Sequence, residues 1–230
     1  MPAWIWDPQI QYFAGHYHVV ALDPRSQGDS DKPLEGNSPE RRAQDIKELV
    51  DHLELAPVVL VGWSLGAPEL LSYAEQFGGG QVCAYVLVDG FAWDKLDPQF
   101  ATAMLGMFRR LETDRRDFTE QFVRSMYKKP QAEEYLRRVV GASLKMPTDS
   151  AISASVGSLS RADWRPGHSE DRPARAHPVP SGSGCPSASI HRAVRPGGNA
   201  LAIAGRALFV DDAARFDALL EDFVPHLPER

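Results

Sequence analysis

The stretch "VVLVGWSLGAPELL", Val58 to Leu71, decides the fold. A short apolar run rich in valine, Val58 to Gly62, ends in glycine, as a strand buried on both faces of a parallel sheet does. Gly62-Trp63-Ser64-Leu65-Gly66 matches G-x-S-x-G, with the strand before it and the helix after it that such a motif requires. The sharp turn brings neighbouring backbone close, so small residues are expected two before and two after the serine. It also lifts the Ser64 hydroxyl off the sheet at a helix N-terminus, where the Leu65 N–H points toward a developing oxyanion. Ser64 is therefore the candidate nucleophile and Leu65 the candidate oxyanion donor. Trp63 is read as pocket lining or as sheet packing.

Outward from this motif the chain alternates. "HVVALD", residues 18–23, reads as an earlier buried strand, and "NSPERRAQDIKELVDHLEL" as the helix between, with Ser38 as N-cap, Pro39 at the first helical position and Ala43, Ile46, Val50 and Leu53 on one stripe. The helix after Ser64 is expected to end at Gly78 to Gly80, followed by a third apolar run, "CAYVLVDG", Cys83 to Gly90. Strand, helix, strand, helix, strand implies an α/β, doubly wound, mostly parallel sheet. From about Asp94 to Ser160 the strand signal gives way to successive amphipathic stretches such as "PQFATAMLGMFRRLE", "RDFTEQFVRSMY" and "QAEEYLRRVVGASL", which suggests an inserted helical cap. Between Arg165 and Ala200 there is no Leu, Met, Phe, Tyr or Trp, and six of the 18 prolines fall there. Such a segment cannot bury enough surface to offset its ordering entropy. "ALAIAG" then reads as a short strand and "DDAARFDALLEDFV" as a capped helix burying Phe216, Leu219, Leu220 and Phe223. The expected organisation is a core over 1–93 and 200–230, a cap over 94–164 and an irregular, disordered segment over 165–199.

Composition narrows the function classes. With 230 residues, 43% of them hydrophobic, the chain is long enough for a real core. A net charge of -6 argues against nucleic acid or an anionic membrane as partner, and the arginine pairs starting at Arg109, Arg115 and Arg137 sit among acids and read as solvated helix faces. Cys83 and Cys185 lack metal-ligand spacing and suggest neither a disulfide framework nor a zinc site. No secretory signal or apolar run of about 18 residues is found, so a cytoplasmic protein with reduced thiols, no metal and no cofactor is expected. The oligomeric state is open.

The chain resembles the α/β-hydrolase family, in the branch of small esterases, non-haem haloperoxidase-like enzymes and capped dehalogenase-like hydrolases. The residues that carry the resemblance are "VVALDPRSQGDSDKP", "LVGWSLGAPELLSYAEQFG", "AYVLVDG" and "ALFVDDAARFDALLEDF". In the first, Ser26 replaces a glycine of the family's D-x-R-G-x-G-x-S turn. A serine at the elbow implies acyl transfer through an acyl-enzyme, so the resemblance implies a serine hydrolase acting on a small carboxylic ester.

The same resemblance exposes gaps. The family's late Gly-His is matched by Gly205-Arg206, and arginine has no lone pair with which to accept the serine proton. His16, His18 and His52 precede the nucleophile, His168, His177 and His191 lie in the proline-rich stretch, and His226 follows the last helix. Asp89 fits the family variant whose acid follows the sixth strand; the alternative is a turn or helix-capping Asp. The family's third strand, which lies between those matching "HVVALD" and "VVLVG", and the turn carrying its second oxyanion donor have no counterpart. Loss of one such donor costs about 2.7 to 4 kcal/mol of transition-state stabilisation. A late start codon and a compensated frameshift across about Arg165 to Arg206 would account for both gaps. Three readings are carried forward: an impaired serine hydrolase, a non-catalytic ligand-binding relative, and a truncated gene product.

Overall fold

A computed structural model describes residues 1–78, 80–89, 98–160, 200–203 and 207–224. A 3-10 turn, Ala3–Trp6, leads into α1 (Asp7–Phe13), and α2 (Pro39–His52) precedes β1 (Val58–Trp63). Then come α3 (Gly66–Phe77), β2 (Val82–Val88), the helices α4 (Pro98–Thr113), α5 (Arg115–Ser125), α6 (Glu133–Leu144) and α7 (Thr148–Ser160), β3 (Ala200–Ile203), α8 (Leu208–Asp211) and α9 (Ala213–Phe223). The three strands form a parallel sheet in the order β1-β2-β3.

The two faces of β2 explain why the sheet is doubly wound. Val86 and Val88, both 0% exposed, pack with Ile5, Phe13, Phe209, Phe216 and Leu220 from the N-terminal helices and from α8 and α9. Tyr85 and Val82 belong to a second cluster with Ala43 of α2 and Leu70, Leu71 and Tyr73 of α3. A strand covered by helices on both sides has no polar face, and "VCAYVLV" has none. Burial pushes the Tyr73 hydroxyl up to about 12. Ser38 caps α2 by accepting from the Arg41 N–H at 3.3 Å.

Several sequence expectations need correction. Residues 18–23 form no strand: they run beside no described ladder partner, and a strand without one gains neither hydrogen bonds nor covered faces. Val20 and Leu22 are accordingly 41% and 37% exposed. Leu53 and Leu219, placed on buried stripes, are 40% and 39% exposed. Leu53 is the C-terminal cap of α2, one residue past its last helical position. The last helix, α9, lies within its expected span, but the side chain of its N-cap, Asp212, forms no cap hydrogen bond. Cys83, buried in β2, is disulfide-bonded rather than a reduced thiol. The irregular stretch 165–199 and Arg206 lie outside the described residues. No described helix is long and apolar enough to cross a membrane.

Candidate active site

Ser64 follows β1 directly and takes a left-handed backbone, φ 54°. Such a conformation costs a non-glycine residue about 1–3 kcal/mol and persists only where its surroundings enforce it. Two contacts enforce it here. The Ser64 N–H donates to the Val88 carbonyl at 2.9 Å, tying the turn to the end of β2, and the Ser64 carbonyl accepts from the Ala67 N–H at 3.0 Å, opening α3. Gly62 has no room for a side chain: a Cβ there would stand 2.7 Å from the Gly66 carbonyl oxygen and 2.9 Å from Leu70 Cδ1. The second glycine differs from expectation. A Cβ on Gly66 would meet nothing within 4 Å, so the steric demand falls on the strand side of the serine alone.

In the β1–β2 register Trp63 lies opposite Val88, so the next residues, Ser64 and Asp89, leave adjacent parallel strands side by side. Strands in a sheet stand about 4.8 Å apart. Asp89 is left-handed as well, φ 45°, so both candidate residues occupy strained positions at the C-terminal edge of the sheet. Leu65 caps α3 with helical dihedrals, and its N–H has no partner among the described backbone bonds. Trp63 borders the cavity around Ser64 and packs edge-on against Phe209, ring centroids 4.9 Å apart.

Ser64 and Asp89 open into a cavity of about 1160 Å³. One part lies between residues 19–22 and β1; another runs beneath α4–α7. His16 and His18 line it too, yet no described histidine hydrogen-bonds Ser64 or Asp89. His52 sits exposed in the last turn of α2, and His168, His177, His191 and His226 lie outside the described residues. Among the described residues no three His, Cys, Asp or Glu side chains gather to hold a metal ion.

Residues that the motif did not reveal hold this edge in place. Arg42 of α2 and Glu69 of α3 form a buried ion pair at 2.8 Å, with Arg42 donating also to the Arg25 carbonyl at 2.9 Å and to Asn37 Oδ1 at 3.2 Å. Breaking such a pair from one side costs about 3–5 kcal/mol. The turn at 23–30 is organised by the Asp23 carboxylate, which accepts from the N–H groups of Ala3 at 2.6 Å and Asp29 at 2.8 Å. Ser26, where the family pattern has glycine, carries φ 66° and is fully buried. The Asp211 carboxylate of α8 reaches the loop between α5 and α6, accepting from the N–H groups of Lys128 at 2.8 Å and Lys129 at 3.3 Å and from Gln131 Nε2 at 3.1 Å. Arg115, read from sequence as part of a solvated face, is half-buried and lines the cavity, whereas Arg116 is exposed.

Comparison with known proteins agrees with this architecture. A family model described as alpha/beta hydrolase fold matches residues 2–179. The chain is 37% identical over 84 residues to a non-heme chloroperoxidase of Streptomyces lividans, an overlap of 36% of this chain and 30% of that one. It is 38% identical over 71 residues to (E)-2-((N-methylformamido)methylene)succinate hydrolase of Acinetobacter baylyi, covering 29% of this chain and 26% of the other. The alignments thus span less than a third of the curated relatives' length. Among solved structures, an esterase from Exiguobacterium antarcticum superposes with a TM-score of 0.77 at 20% identity, over 96% of this chain and 87% of that one. The parallel sheet wound on both faces, the strand-to-helix turn at Ser64 and the matched family model agree: the chain belongs to the alpha/beta hydrolase fold family.

Proposed function

We propose that the chain is a serine hydrolase by descent, built for small carboxylic esters, with Ser64 as nucleophile and α4–α7 as a cap over the acyl or alcohol pocket. The observation that carries this reading is the strained Ser64 backbone, held by Val88 and by the closed contact at Gly62. In the reaction Ser64 Oγ bonds to the ester carbonyl carbon while its proton passes to a base, and the Leu65 N–H donates to the resulting oxyanion. The intermediate expels the alcohol, and water then releases the acid from the acyl-serine. Asp89 is the proposed acid of the site. The base is the weak link: Arg206 stands at the position the family gives to histidine, and an enzyme stripped of one triad member keeps roughly 10³–10⁴-fold catalysis over water.

Fluorophosphonate labelling tests the nucleophile. Labelling of the wild-type chain that disappears in Ser64→Ala, with slow p-nitrophenyl acetate turnover lost in the same variant, is the expected outcome. The absence of any described histidine on Ser64 favours a second reading, a non-catalytic pocket that keeps the elbow only as architecture. Equal background hydrolysis by wild type and Ser64→Ala, with no labelling of either, decides for that reading. A chain without a cooperative melt would refute both readings.

A further inference from the structure

Beneath α4–α7 the cavity wall is apolar, built from side chains such as Met107, Leu111, Phe118, Met126 and Ala154. A single strong cation interrupts it. Among the described lining residues Arg115 is the only lysine or arginine. Its Nη1 donates to Thr148 Oγ1 at 3.1 Å, and its Nη2 to the Ser143 carbonyl at 3.4 Å and to the Met146 carbonyl. All three acceptors are neutral, and the Nε–H takes no acceptor among the described residues.

Among the described residues no acid pairs with Arg115. Asp114 pairs with Arg110 at 3.6 Å, and Asp117 and Asp149 are exposed. Glu69, on the cavity wall, is held by Arg42 at 2.8 Å. Burial accordingly pushes the Arg115 guanidinium down from its ordinary value with no carboxylate to offset it. A partly desolvated cation without a counter-anion is unfavourable unless a ligand supplies one; with both Nη2 hydrogens and one on Nη1 engaged, the Nε–H and the second Nη1 hydrogen remain for it. Closing the α6–α7 turn requires the neutral contacts alone; it does not require the charge to border the cavity.

The geometry points to Arg115 as the residue that sets substrate class: the cavity takes molecules that carry a carboxylate in addition to the ester, and that carboxylate lies on Arg115. The ester half of this statement rests on the proposed role of Ser64, whereas the carboxylate site stands without it.

Adipate, with adipamide as its neutral counterpart, tests the site by calorimetric titration of the full chain. Saturable adipate binding with adipamide at least about tenfold weaker is expected, because hydrogen bonds to charged groups contribute more than neutral ones. Arg115→Gln should lose about tenfold or more of the adipate affinity, and Arg115→Lys should retain most of it. Equal affinities for adipate and adipamide, no adipate binding, or undiminished binding by Arg115→Gln would each overturn the assignment. Should Arg115→Gln fail to melt cooperatively, the wild-type preference for adipate over adipamide decides, together with Thr148→Val, which removes one acceptor, leaves the cation and should keep adipate affinity. Ser64→Ala separates the two proposals: it should bind adipate as wild type does while losing fluorophosphonate labelling. Adipate binding in a chain that never labels would leave the carboxylate site standing and the nucleophile refuted.

Discussion

β1 and β2 are neighbouring parallel strands written in nearly the same alphabet, "VVLVGW" and "VCAYVLV", yet they live in different surroundings. Six of the seven β2 residues are buried, against one of six in β1, where Val61 is 36% exposed. Their composition cannot account for this. β2 has a strand on each side and helices on both faces, while the outer edge of β1 borders the cavity that separates it from residues 19–22. An apolar run encodes a strand; its neighbours decide how much of that strand's free energy is realised.

Three tests break or sharpen this contrast. The largest effect is expected for Val86→Asp, which would bury an unpaired carboxylate at a fully enclosed position, against Val61→Asp at the open edge. The first should cost more than about 4 kcal/mol and abolish the cooperative melt, the second about 1 kcal/mol or less, as read by urea unfolding. Similar losses for the pair would mean that the β1 edge is as closed as β2. Next comes Gly62→Ala, aimed at the one point where β1 is tightly packed. Overpacking there should cost about 1–3 kcal/mol in the same assay and weaken Ser64 labelling, whereas Gly66→Ala should leave packing intact.

The smallest effect concerns the closed side of the sheet. Desolvation raises the Asp217 carboxyl above its ordinary value, with a hydrogen bond from Gln9 Nε2 at 3.1 Å opposing the rise. The native state therefore holds this proton more tightly than the unfolded chain, so ionised Asp217 disfavours folding at neutral pH, and the penalty fades as pH falls through the raised value. Asp217→Asn should lift the melting temperature slightly at pH 7, and the gain should vanish on acidification. A gain that grows in acid would reverse the sign argued here.

Local signals in the sequence were sufficient for most elements. The Ser38-Pro39 start of α2, the valine runs of β1 and β2 and the elbow itself are encoded within a few residues of where they act. The failures share one cause, dependence on distant partners. Residues 18–23 carry a strand's composition without a ladder to join, Leu53 falls just past the end of α2, and Leu219 stands exposed on α9 although Phe216 and Leu220 on either side of it are buried. At the candidate site, Ser64, Leu65 and Trp63 were legible as a motif. Arg115 was not, because a doublet of arginines looks solvated until the fold shows one member turned inward against the α6–α7 turn.

The Asp211 carboxylate has a mechanical consequence. By taking three hydrogen bonds from the loop between α5 and α6, it pins the midpoint of the four-helix group to the end of α8. It shares that task with Trp4, whose ring meets Tyr135 and the Arg138 guanidinium of α6, and with Lys145, paired to Asp29. Asp211→Ala would therefore strip the loop's three donors of their common acceptor while the tethers on α6 stay in place.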